Sequence, residues 1–279
     1  MKPVTPVFYA DLLPKIDQKL LEILQEISPE DWHKPTIVPQ WRIKDIAAHL
    51  LDGNLRTLSM LQDNYYGESP GEVSSQEQMV AYLNGLNADW VKAMRRLSPS
   101  VMITLLASSG AQYCAYLQSL DSFAISPFSV GWAGEQESKN WFHIAREYTE
   151  KWHHQQQIRL AVGQEAPLYT KEFYYPYLET SMRGLPHHYR SIQPTTNTLI
   201  RITVTGAGGG DWFLYFDEQS WQLVTEPGIQ PACEVIIPED IAWRVFTKGI
   251  NRELAKEKSE VRGEEQLGNH VFEMIAIMG

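Results

Sequence analysis

Residues 140–163 read NWFHIAREYTEKWHHQQQIRLAVG, and the reading of this stretch decides the rest. At about one hundred degrees per residue, a helix here sets His143, Glu147, Glu150 and His154 on one narrow face, and Gln157 and Ala161 continue the line. The apolar Ile144, Ala145, Tyr148 and Trp152 fall beside or behind that face. Glu150 and His154 stand four residues apart, so a carboxylate and an imidazole point the same way and can grip one ion. Such pairs are common on solvated helix surfaces, so the pair alone says little.

A metal site needs a third ligand, and the best candidate is His49 in WRIKDIAAHLLDGN, residues 41–54. That segment is also helical in pattern. His49 shares its face with Gly53, which leaves space beside the imidazole. The expectation is a His49, Glu150 and His154 site between two helices, with a position open to water or a thiol, as catalytic sites keep. His153 lies about a hundred degrees round the helix from His154 and does not face the same ion. His143 and Glu147 either orient an imidazole or are solvated; for His143 the expectation is solvent.

Composition narrows the class. The chain has 279 residues, 43% hydrophobic, with nine Trp and thirteen Tyr, enough side-chain volume for a sizeable core. A net charge of −10 and a pI near 5.3, with no basic run, argue against a nucleic-acid partner. Cys114 and Cys233 form no metal-ribbon spacing and read as two free thiols. The N-terminus lacks the apolar core of a signal peptide, and no stretch is long enough to span a membrane. A cytoplasmic location is expected.

Outward from the central stretch, the first 190 residues read as helices. Helical spacing predicts helices over 9–27, from 42 into the sixties, over 75–96 and over 101–120, separated by Pro- and Gly-rich turns. SFAISPFSVGWAGE, residues 122–135, is a loop ahead of the central helix. Its Trp132 either lines a pocket at the helix entrance or packs on the helices. A further helix is expected over 173–187. From 194 the texture alternates apolar and polar residues, with strands at 199–205, 211–216, 221–225 and 233–237 in a β-meander. GAGGG is a hairpin loop, because a strand follows and no GK[ST] does. Helices at 239 onward and 252–258, a strand at 260–262 and a final helix over 264–278 complete the pattern.

TIVPQWRIKDIAAHLLDGN and EYTEKWHHQQQIRLAVG together resemble the two signatures of the mycothiol-dependent maleylpyruvate isomerase family, within the DinB/YfiT-like metalloenzymes. The tail, PACEVIIPEDIAWRVFTKGI with VRGEEQLGNHVFEMIAIMG, resembles that family's sterol-carrier-like C-terminal domain. The resemblance implies an α+β chain: a DinB-like four-helix bundle over 1–190, then a smaller sterol-carrier-like domain with an antiparallel sheet over 191–279. It implies a divalent metal, usually zinc, held by His49 at the first-signature position and by Glu150 and His154 on the last bundle helix. Many DinB-like relatives carry histidine where Glu150 stands, so the match is better to the isomerase branch.

The function expected from this is a metal-dependent enzyme that uses a low-molecular-weight thiol, mycothiol or bacillithiol, for isomerisation or S-transfer on a small electrophile. The alternatives are a YfiT-like metal-dependent hydrolase and a non-catalytic carrier of a small molecule or lipid. Arg244, Arg252 and Arg262 are candidate partners for a carboxylated substrate, because guanidinium suits bidentate anion binding.

Overall fold

The computed structural model describes residues 1–68, 70–72 and 74–276. It is an α+β structure: helices fill the N-terminal region and a six-stranded sheet forms the C-terminal one.

Apolar residues at spacings of three and four make α1, Leu13–Glu26, which buries Leu13, Ile16, Leu20, Ile23 and Leu24. Pro14 sits in its first turn, where a missing N–H costs nothing. Helix α2, Ile43–Thr57, starts from Arg42, whose backbone N–H donates to the Asp45 carboxylate. A short π-helical stretch, Leu58–Gln62, extends it. Ser75 and Ser98 accept backbone N–H bonds at the starts of α3, Gln76–Met94, and α4, Pro99–Ser119. Leu20, Leu24, Ile43, Ile46, Leu50, Met102, Leu106 and Ile158 form one continuous core. The expected helices are therefore present, each within a few residues of its predicted bounds.

Helix α5, Asn140–Val162, is the predicted central helix. Gly163, at φ +70, stops it, a left-handed conformation that glycine adopts without strain. Every residue from Lys151 to Arg159 is buried, including three consecutive glutamines. Buried polar side chains need partners, and two of these reach the backbone of α1. Gln155 Nε2 donates to the Ile16 carbonyl and Arg159 Nη2 to the Lys19 carbonyl, both on α1. The helix is thus a polar-lined strut, not an amphipathic surface helix.

The later segments form α6, Tyr174–Met182, and α7, Leu185–His188, in place of one helix over 173–187; Arg183 and Gly184 interrupt it. Strands follow: β2, Thr198–Val204; β3, Gly210–Phe216; β4, Trp221–Thr225; β5, Cys233–Ile237; and β6, Glu260–Gly263. The first strand, β1, is only Lys2–Pro3. Sheet order is β1-β4-β3-β2-β5-β6, and every pairing is antiparallel except β2 with β5. The meander holds for β2, β3 and β4 only. The segment after β4 carries Pro227 and Pro231, with positive φ at Glu226 and Gly228, so no hairpin returns along β4. That edge is taken by β1, and β5 lies parallel to β2, Ile202 opposite Val235. Helices α8, Glu239–Phe246, and α9, Arg252–Glu257, match expectation.

The predicted final helix over 264–278 is much shorter. It comprises α10, Glu265–Asn269, and a 3-10 turn, His270–Glu273; Met274 is extended, and 277 and 278 lie outside the described residues. The Ala276 N–H instead donates to the Phe246 carbonyl, a bond a continued helix would forgo.

Two compact units emerge from the packing. Among the described residues, one comprises Ala10–Asp121 and His154–Glu165; the other comprises Met1–Tyr9, Ser122–His153 and 166–276. The residues of α5 are divided between the two lists.

Candidate metal centre

His49 sits in the second turn of α2, and Glu150 and His154 lie one turn apart on α5. One ligand atom from each falls within 4.8 Å of the others, and this is a group of His, Cys, Asp or Glu side chains able to share an ion. Donors bound at about 2.1 Å to a tetrahedral ion stand roughly 3.4 Å apart, so the set needs to close by at most about 1.4 Å. His154 is buried, while His49 and Glu150 are partly open.

The two imidazoles meet edge to face, ring centres 4.6 Å apart. Trp41, just before α2, lies 5.2 Å from the His49 ring and 6.4 Å from the His154 ring, nearly parallel to the latter. It flanks both. His154 Nδ1 is 2.9 Å from Gln157 Oε1. A Cβ built at Gly53 meets nothing within 4 Å, so the position beyond His49 is roomy.

Neighbouring histidines are otherwise engaged. His153 Nδ1 donates to the Thr149 carbonyl of its own helix, at 2.9 Å, and is not among the three. His143, expected in solvent, is 1% exposed. The preceding loop pairs with the helix entrance: Ser126 N–H donates to the Ser138 carbonyl and Asn140 N–H to that of Ala124. His143 Nδ1 accepts from Arg146 Nη2 at 2.7 Å. Burial pushes its pKa down to about 4. Glu147 Oε1, 3.7 Å away, pulls the other way, but it is 3.2 Å from Arg146 and burial wins.

Trp132 forms a 3-10 turn, Gly131–Ala133, and packs edge-on against Phe142 at 5.8 Å. Its cluster includes Val130 and Ala145. Arg244 ends α8 with its guanidinium 5.6 Å over the Trp243 ring. Arg252 opens α9 and is exposed. Arg262, on β6, is held by Glu260 at 2.7 Å and lies 3.8 Å from Glu234. Sequence spacing missed Trp41, whose only signal was its position just before α2, and gave Gln157 a place on the ligand face without a role. A polar residue three positions after a candidate ligand histidine was the available signal.

An α+β fold whose helices gather two imidazoles and a carboxylate belongs to the class of candidate metal-centre proteins. A sequence model described as the mycothiol maleylpyruvate isomerase N-terminal domain matches residues 13–159, more than half the chain, and the chain belongs to that family. Two crystal structures of the mycothiol-dependent maleylpyruvate isomerase resemble it, one of them a histidine-to-alanine mutant. Each is 10% identical and covers 85% of this chain and 86% of its own, with TM-scores of 0.47 and, for the mutant, 0.46. The UbiJ-SCP2 ubiquinone synthesis protein is 20% identical, covering 41% of this chain and 90% of its own, at TM-score 0.23. These overlaps are loose; the family assignment rests on the sequence match. No curated protein matches the chain.

Proposed function

We propose that the chain is a thiol-dependent isomerase or transferase of small unsaturated acids, with a divalent metal, zinc in the first instance, held by His49, Glu150 and His154. The observation that carries this reading is the approach of those three donors to within 4.8 Å, from helices a hundred residues apart in sequence, in a chain of this family. Two neutral imidazoles and one carboxylate are a donor set suited to zinc with a coordination position left over. Bound there, the metal would act as a Lewis acid that lowers the pKa of a coordinated thiol and makes it a nucleophile at neutral pH.

The protein's own residues supply the rest. Trp41 covers one flank of both imidazoles and limits water there. The thiol is mycothiol, after the family's name, or bacillithiol. For a carboxylated substrate, Arg244 is the first of the three arginines to test. Its Nε has no hydrogen-bond partner among the described residues, whereas Arg262 is neutralised by Glu260. A cytoplasmic enzyme fits two buried cysteines that form no disulfide with each other.

The test is a turnover assay of zinc-loaded protein with maleylpyruvate and either mycothiol, bacillithiol or glutathione. One thiol is expected to give turnover that His154→Ala lowers at least ~100-fold, the loss typical of an essential group. Equal rates with and without every thiol, in protein carrying stoichiometric zinc, would refute the reading.

A further inference from the structure

We propose that Gln157 is a positioning residue of this centre: it fixes the His154 imidazole in the tautomer that can bind a cation. The consequence for metal rests on the metal reading above; the tautomer itself does not. Gln157 Oε1 lies 2.9 Å from His154 Nδ1. An amide oxygen can only accept, so Nδ1 carries the proton and donates. A neutral imidazole has one N–H, so the proton is absent from Nε2 and its lone pair is available for a ligand. The contact is sequestered from bulk water, with Gln157 6% and His154 9% exposed.

Three glutamines run together here, and each has a different job. Gln155 spans from the Ile16 carbonyl to Arg159 Nε, and Gln156 Nε2 reaches the Glu165 carbonyl. Gln157 Oε1 meets an imidazole. Trp41 lies nearly parallel to the same ring and His49 meets it edge to face, so the ring is held at one nitrogen and flanked as well. A reversed amide would donate to Nδ1, drive the proton to Nε2 and close that nitrogen to a cation. The side chain at 157 therefore decides which nitrogen is usable. Partners of this kind typically account for 10–100-fold in metal affinity.

Two variants of the full chain test this. Gln157→Met keeps the length and removes the acceptor; Gln157→Glu keeps an acceptor oxygen in place. The first readout is the 15N shifts of the His154 ring in metal-free protein near pH 8, where an ordinary imidazole is neutral. The wild type and Gln157→Glu are expected to show the proton on Nδ1, and Gln157→Met a shift toward Nε2–H. The second readout is zinc affinity by competition with a chromophoric chelator. Gln157→Met is expected to bind about 10–100-fold more weakly, with Gln157→Glu at or above wild-type affinity. Circular dichroism of all three checks that the fold is kept. An unchanged tautomer in Gln157→Met, or zinc bound as tightly as in the wild type, overturns the proposal. Should the wild type bind no zinc while the tautomer still moves, the positioning claim is supported and the metal reading alone fails.

Discussion

At the scale of single residues, His143 shows what a helical wheel can and cannot say. Its position on the Glu150 face was legible, because the 3.6-residue period fixes which side chains share a side. Its burial, with 1% of the residue exposed, was not, because a wheel gives the direction of a side chain and not what packs over it. Burial holds its folded pKa near 4, below the ordinary value of about 6.5. Between those values the unfolded chain takes up a proton that the folded chain refuses, so stability is present above pH 6.5 and drains as pH falls toward 4. The loss amounts to about 3–4 kcal/mol at most, at roughly 1.4 kcal/mol per pH unit of pKa difference. Urea unfolding between pH 7.5 and 4.5 measures it. His143→Gln is expected to flatten the slope relative to the wild type; an identical slope would show that other groups account for it.

At the scale of elements, the closure of α3 onto α2 is specific enough to break with one change. Lys44 on α2 is 9% exposed, and its Nζ donates to the carbonyls of Arg95 at 2.9 Å and Leu97 at 2.5 Å, just past the end of α3. Asp45, beside it, takes the Arg95 guanidinium in a two-bond fork. Lys44→Met fills similar space but strands both carbonyls, so a loss of about 1–3 kcal/mol is expected in chemical denaturation. A change below ~0.5 kcal/mol would mean water replaces the ammonium there. Neither bond could be seen in the sequence, where Lys44 reads as an ordinary helix cation. The strands were legible, since alternation marks a face, but alternation does not name a neighbour. That is why β5 was expected in the meander and lies parallel to β2, and why a two-residue β1 gave no signal at all. The last helix failed because apolar residues at 267, 271 and 274 suit a helix and an irregular packed segment equally.

At the scale of the whole molecule, an acidic α+β chain of the mycothiol maleylpyruvate isomerase family brings three donors together from α2 and α5. The α+β composition followed from texture, and the candidate ligand set from two short motifs read in order. Trp41 and Gln157 did not acquire roles until the rings they touch were in place. The central claim is that these donors hold one metal ion, and elemental analysis of protein purified without chelators tests it most directly. The account predicts close to one divalent ion per chain in the wild type and below about a tenth in either His49→Ala or His154→Ala, since losing one of three protein ligands leaves a shell too weak to hold the ion. Wild-type protein that takes up no ion even after incubation with zinc, or alanine variants that keep it, would contradict the account.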